Sequence, residues 1–290
     1  MKNVILLILL ALSSSVLLAQ QHTRAISFKS ERDKNGNIVI TAKNEDFCDY
    51  YISLNIEGDY EVRGNFRGQV ISRKSDKIVA TLVKNGLSSG GYNYSSRTYR
   101  GSLNKKINPG HVYALPVKPG DSIQYIPARN RAFTSVFNLK FAGDTVYACR
   151  GGVVCDDRLT DTANRTLSKD DKIIIYHEDG TFGQYSKFQK VLVYPGESVS
   201  VGQPIAIVKP GDNERKLIHF SVFFLDKNMV NNDETGIKHS NLVPVFHSLN
   251  SGDGKLEEKT TYVSELTDEL IMQDMSKKER AKYLKKKEQK

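Results

Sequence analysis

Six histidines and three cysteines are the side chains of this 290-residue chain best suited to hold a metal or act as a nucleophile. Their spacing excludes the commonest ways of doing either. No Cys-x-x-Cys pair and no Cys/His cluster is present, so a structural zinc finger is ruled out. Neither Cys149 nor Cys155 has a histidine close by in sequence, which leaves a cysteine nucleophile without its base. His239 and His247 lie in a polar stretch with Asp226, Asp233 and Glu234. A metal site there would need two of these groups to converge on His219, and their spacing fits no zinc pattern. Cys149 and Cys155 flank Gly151 and Gly152. An oxidising compartment would allow a bridge between them. A tight turn at the glycines, however, sets residue 149 opposite 154 and not opposite 155. Two small buried residues in a hairpin are therefore the preferred reading.

The elements that must position these groups are short strands. Around Asp33-Lys34-Asn35-Gly36-Asn37 two apolar-alternating runs face each other, which predicts a hairpin with an Asn-Gly turn. Further runs of branched and aromatic residues follow over 48–56, 77–83, 111–117 and 122–127, separated by Gly, Pro, Asn and Ser. Residues 86–99, rich in Ser, Gly and Tyr, read as a polar loop. Its Tyr92, Tyr94 and Tyr99 could stack on a sugar or peptide, with structural packing the better account. Strands at this spacing predict an immunoglobulin-like β-sandwich over 24–126. Pro116, Pro119, Gly120 and Pro127 punctuate the boundary to a second module, 127–248.

In that module, Pro195-Gly196-Glu197-Ser198-Val199 runs into Val201-Gly202-Gln203-Pro204-Ile205, a strand–turn–strand in which each Gly permits positive φ. Biotinyl/lipoyl hairpins share this pattern, but Ile207-Val208-Lys209-Pro210-Gly211 lacks their Met-Lys tip. Four other pieces stand in order around it. They are Gly143-x-Thr145-Val146-Tyr147-Ala148 with Gly152-Val153-Val154, then Ile175-x-His177-x-Asp179-Gly180, then Tyr185, and last Ile218-His219-Phe220 with Val222. Together these resemble the β-sheet core of the M23 (LytM/lysostaphin-like) peptidases over about residues 127–226. The resemblance implies an antiparallel β domain with a substrate groove. It also implies a zinc held by the His and Asp of an H-x-x-x-D segment and by the second His of H-x-H, with the first His of H-x-H and a Y-x-H histidine assisting.

Most of that set is missing. Residues 129–142 contain no His and no Asp, the first His of H-x-H is Leu217, and the Y-x-H histidine is Lys187; His219 alone survives from the ligand set. A catalytic zinc takes about three protein ligands plus an open position for water, and without it water keeps its bulk pKa of about 15.7. A lysine beside the metal position repels a cation. The expectation is a degenerate M23-like domain with no catalytic residues, no metal and no cofactor, zinc entering only if non-standard ligands keep a metallopeptidase active. Inactive relatives of such a fold look like regulators or adaptors. The candidate groove residues are His177, Tyr185, Lys187 and His219, and the expected ligand is peptidoglycan or a partner envelope hydrolase. A purely structural envelope protein is the remaining alternative.

The ends of the chain set its compartment and charge. Residues 1–20 carry Lys2, an apolar run and three serines before Ala19, the layout of a signal peptide, so export to the periplasm or beyond is expected. Lys and Arg number 42 against 33 Asp and Glu, a formal charge of +9. Residues 276–290 hold eight of the basic and two of the acidic side chains; without them and Lys2 the body has 33 basic and 31 acidic groups. The basic excess is thus a property of the tail. Ser276 with Glu279 forms a capping-box pattern, so a helical basic tail is expected over 262–290. It could contact an anionic surface or be a solvated end. No aromatics interleave its charges as a nucleic-acid groove needs. At 39% hydrophobic and 26% charged, with mean hydropathy −0.43, the composition fits a globular protein and excludes a polytopic membrane protein; the strand pattern makes the expected fold mainly β.

Overall fold

A computed structural model describes residues 25–84, 91–127, 134–141, 143–156, 172–208, 216–231 and 238–289. The expected signal peptide lies outside the described residues. About half of the chain is strand and a tenth helix, so the fold is mainly β with antiparallel sheets and a small helical C-terminus.

The first module is a two-sheet sandwich. Strands Ile26–Arg32 and Ile38–Asn44 form the expected hairpin, and Gly36 takes φ 77° at its turn. Asp33 stabilises that turn by accepting from the Asn35 and Asn37 amides at 2.8 and 2.9 Å. Strands Asp76–Lys84 and Tyr60–Arg63 complete a four-stranded sheet, and Gln69–Ile71, Tyr50–Gly58 and Tyr92–Arg100 make the second. Alternation buries every other residue, as in Ile38–Asn44, and the inner faces of both sheets meet around Ile40, Ile52, Ile71 and Leu82.

The polar loop expected over 86–99 is in large part a strand. Tyr92–Arg100 pairs along its whole length with Tyr50–Gly58. Serine and glycine made the segment look like a turn, but cross-strand pairing and aromatic packing override that composition. Tyr92 meets Tyr60 and Tyr94 meets Phe28 edge-on, each at 6.1 Å.

The second module centres on one large antiparallel sheet. In order it runs Ser198–Val199, Gly152–Val154, Lys172–Tyr176, Phe182–Ser186, Leu217–Leu225, Thr134–Phe141, Ser122–Pro127 and Thr261–Val263, with His239–Leu242 joined to Leu217–Leu225. A smaller sheet of Thr145–Tyr147, Pro204–Val208 and Phe188–Val191 packs on its inner face. Val112–Tyr113 runs parallel to Val245–Ser248 in a third. These strands reach beyond residues 127–248 on both sides. Gly196 and Gly202 hold φ of 89° and 74°, as the strand–turn–strand reading requires.

Leu217–Leu225 shows how the large sheet is used on both faces. Ile218, Phe220 and Val222 point into the module's own core. On neighbouring strands Ile174, Tyr176 and Phe182 point the other way and belong to the core of the sandwich. The sandwich is therefore seated on the outer face of the large sheet. Tyr176 stacks on Phe182 at 4.8 Å and Phe182 on Phe223 at 5.0 Å, a ladder across three strands under that contact.

The C-terminus forms helices Asp268–Met272 and Lys277–Glu288. Ser276 and Glu279 make the expected capping box, and no residue of the second helix is buried. Its base is fixed by Gln273, whose amide bonds both the N–H and the C=O of Val112 at 3.0 and 3.2 Å. Among the described residues no helix is long and apolar enough to cross a membrane.

The seating of the sandwich constrains one turn. A Cβ built on Gly196 would lie 2.4 Å from Cε1 of Phe47, on a backbone that L residues rarely adopt. Gly196→Ala is expected to lower stability by about 2–4 kcal/mol, from left-handed strain and overpacking together. The urea midpoint of the full chain measures it, and a change within error would show that the turn and Phe47 are not packed together.

Candidate functional site

His219 lies on the outer face of the large sheet, half-buried, in register with Ser186 on one side and Val136 on the other. Ser221 stands opposite Gln184 and Leu217 opposite Asn138 on the same face. The face is thus polar around His219 and aromatic toward Phe182 and Phe223, where the sandwich covers it. Asn138 Oδ1 is buried here with no hydrogen-bond partner.

Lys187 follows directly after strand Phe182–Ser186. It is exposed, with φ 83°, which breaks the strand before Phe188 turns back into the core. Tyr185 is fully buried on the opposite face from His219, because Ser186 pairs with His219 and so Tyr185 pairs with Phe220. Its hydroxyl accepts from the Cys149 amide at 2.8 Å, tying the strand to the Cys149 segment through the core. His177 is also buried. Of the four expected groove residues, the fold leaves Lys187 and His219 toward the outside and takes Tyr185 and His177 into the interior.

His177 belongs to a polar cluster at the rim of the core. Its Nδ1 donates to the Gly151 carbonyl at 2.7 Å, and its Nε2 is buried without a partner. Tyr113 approaches it edge-on, with ring centroids 6.2 Å apart, and Arg150 lies over the Tyr113 ring at 5.9 Å. Arg150 is the centre of charge. It binds Asp274 through Nε and Nη2 at 2.9 and 2.8 Å, and Asp179 and Thr181 through Nη1 at 3.1 and 3.2 Å. Burial raises the Asp179 carboxyl, but the Arg150 charge and the Thr181 bonds outweigh it and bring the pKa to about 2. Burial and Arg150 both depress the histidines, His177 to about 3 and His111 to about 4. Both rings are neutral at physiological pH, and the cluster anchors the C-terminal segment that carries Asp274.

A second buried cluster joins the two modules. Asp46 Oδ2 accepts from Arg100 Nη2 at 2.9 Å, Tyr50 Oη at 3.1 Å and Cys48 Sγ at 3.4 Å. Its Oδ1 accepts from the amides of Phe47 at 2.7 Å and Asp156 at 2.8 Å. Tyr176 donates to Asp49 at 2.9 Å beside it. Asp46, Cys48 and Cys155 are the group of possible metal ligands that come within 4.8 Å of one another among the described residues.

The remaining sequence candidates do not converge on His219. His239 Nε2 bonds the Arg100 carbonyl at 2.7 Å, Asp226 accepts from Ser240, and His247 sits between Asp253 and Glu265 at 2.6 and 2.9 Å. Asp233 and Glu234 lie outside the described residues. The two glycines after Cys149 do not form a hairpin turn either. Gly152–Val154 pairs with Lys172–Tyr176 and Ser198–Val199, and Cys149 and Cys155 end in different cores, with no bridge between them. Arg150, Asp274, Asp46 and Arg100 were not singled out from sequence. Each has at least one partner more than twenty residues away, and no local spacing signals such a pair.

Residues 136–232 match the model of peptidase family M23, so the β domain built on the His219 strand is M23-like. Among solved structures the chain is similar to the M23 metalloprotease pseudoalterin, at 18% identity over 38% of this chain and 69% of that one, TM-score 0.29. It is similar to Helicobacter pylori Csd3 at 11% identity over 90% and 81%, TM-score 0.29. A zinc-containing peptidase from Vibrio cholerae follows at 13% identity over 67% and 81%, TM-score 0.24. No curated protein matches the chain.

The family implies a zinc, and the described donors around His219 do not fit one. Its strand neighbours Val136 and Ser186 offer neither carboxylate nor imidazole, and Phe137 is fully buried opposite Ile218. A zinc site of the family type needs about two more protein ligands there.

Because His111 and His177 are held neutral, the unfolded chain binds protons on them below pH 6.5 that the folded chain does not. Their contribution is complete above about pH 6.5 and is lost as pH falls toward 4 and 3. Urea unfolding at pH 7, 6 and 5 should show falling stability, and His177→Gln should flatten the slope by up to about 1.4 kcal/mol per pH unit. An unchanged slope would mean that His177 is solvated.

Proposed function

We propose that this protein is an exported, non-catalytic M23-like component of the cell envelope, whose outer sheet face binds peptidoglycan or a partner hydrolase. The observation that carries this reading is the company His219 keeps. Leu217 stands where the family resemblance calls for a second histidine, the strand neighbours of His219 are Val136 and Ser186, and the Y-x-H position is the exposed cation Lys187. An ammonium group near that position opposes a divalent ion.

A binding face needs shape and hydrogen-bonding groups rather than a metal. Gln184, Ser186, His219 and Ser221 supply such groups on one patch, and Lys187 adds a cation at its edge. Muropeptides offer carboxylates, amides and hydroxyls to match. The signal-peptide layout and the M23 match support an envelope location. The exposed helix Lys277–Glu288 gives the protein a second, basic surface for an anionic polymer or bilayer.

A zinc metallopeptidase with non-standard ligands is the competing reading, favoured by the retention of His219 on its strand. Elemental analysis of the purified full chain separates the two. Substoichiometric zinc, unchanged in His219→Ala, is expected; one zinc per chain, lost in that variant, would establish the enzyme instead.

Sedimentation with purified sacculi tests the binding face. Ser186→Trp is expected to weaken retention by about tenfold, the loss of one well-packed contact, while removal of residues 276–290 leaves a salt-resistant fraction bound. Retention that ignores Ser186→Trp and vanishes with the tail would assign binding to the helix alone.

A further inference from the structure

Cys48 and Cys155 lie 107 positions apart in sequence, in different modules, yet their sulfurs share one buried site with Asp46 within 4.8 Å. Cys48 is fully buried at the end of the sandwich that faces the M23-like sheet, and Cys155 follows strand Gly152–Val154 of that sheet. Both backbones are held. The Cys155 amide bonds the Ile174 carbonyl at 2.9 Å, the Asp156 amide bonds Asp46 at 2.8 Å, and the Cys48 carbonyl accepts from the Asn44 side chain at 2.9 Å.

The same site is a poor home for a metal. Both oxygens of Asp46 are already taken by five donors, one of them the Arg100 guanidinium at 2.9 Å. That guanidinium neutralises the carboxylate and would repel a divalent ion placed between the sulfurs. Two thiolates and an occupied carboxylate also fall short of the four ligands of a structural zinc. What the site offers is two thiols at close range, screened from solvent, at the contact between two modules.

We propose that Cys48 and Cys155 form a disulfide that locks the sandwich onto the outer face of the M23-like sheet, with Cys149 left as a free core thiol. The reaction is thiol–disulfide exchange. Both S–H bonds are lost, with them the Cys48 hydrogen bond to Asp46, one S–S bond forms, and the two electrons and two protons pass to an external disulfide, of a protein oxidoreductase or oxidised glutathione, which becomes two thiols. Burial raises the Cys48 thiol pKa, so Cys48 presents little thiolate once the modules are seated, and both buried sulfurs are shielded from the oxidant. The bridge therefore forms while the sandwich is docking during folding. Once formed, it keeps the Tyr176–Phe182–Phe223 end of the sheet face covered and confines any ligand to the polar end around His219. An exported protein meets the oxidising conditions this requires.

The test uses the full chain in two preparations, one exported by its own leader and one refolded from urea in a mixture of reduced and oxidised glutathione. Each is alkylated under denaturing conditions without reductant, digested with trypsin and mapped. The expected result is the peptide 44–63 joined to the peptide 151–158, lighter by two hydrogen atoms than the pair, with the peptide 141–150 alkylated on Cys149. Reduction should lower the Tm by about 5–10 °C, as for a bridge closing a loop of about 100 residues. Cys48→Ala and Cys155→Ala should each leave two alkylated thiols and a Tm indifferent to reductant. Three alkylated cysteines in both preparations would overturn the proposal. So would a bridge that includes Cys149, or one equivalent of zinc protecting both thiols in the reduced protein. Peptidoglycan retention is a separate measurement, so the cross-link and the envelope reading fail independently.

Discussion

The arrangement of the two modules depends on one buried carboxylate. Asp46 has no solvent exposure and collects five hydrogen bonds, from its own turn, from Tyr50 and Arg100 of the sandwich, and from the Asp156 amide of the M23-like sheet. A buried charge without such partners costs several kcal/mol, so the sandwich turn, the Arg100 strand and the chain after Gly152–Val154 must come together or not fold this way. The aromatic ladder beside it is non-directional and supplies area. Asp46 supplies the orientation.

This arrangement decides what the M23-like sheet presents. A β-sheet has two faces, and here both are engaged. The inner one packs on the Thr145–Tyr147, Phe188–Val191 and Pro204–Val208 sheet. The outer one is divided between a covered aromatic end and a polar end around His219. Period-two alternation assigns each residue to a face. It sends Tyr185 to the interior while its neighbour Ser186 stands beside His219. A residue taken from a motif can thus be unavailable on the outer face, and one never singled out can stand there.

The polar cluster around Arg150 does for the C-terminus what Asp46 does for the sandwich. Asp274 clamps the guanidinium in a two-point bond while Gln273 reads both polar groups of Val112. Such planar, charge-assisted contacts fix direction as well as affinity. The basic helix after them is therefore held at a defined place on the molecule although none of its own side chains is buried.

Much of this was legible in the chain itself, because it is local. Asp33, Asn35 and Gly36 specify their hairpin, Gly196 and Gly202 their left-handed turns, and Ser276 with Glu279 the start of the last helix, each within a few bonds of the residue responsible. The order of apolar runs and glycines around His219 was enough to indicate the M23-like sheet. Tertiary structure decided the rest. It turned the Ser- and Tyr-rich segment into a strand by giving it Tyr50–Gly58 to pair with, buried Tyr185 and His177, and separated Cys149 from Cys155. It also brought Cys48 to Cys155 and Asp46 to Arg100. These depend on register and on contacts between residues dozens of positions apart, whose energies arise only once the sheets have met.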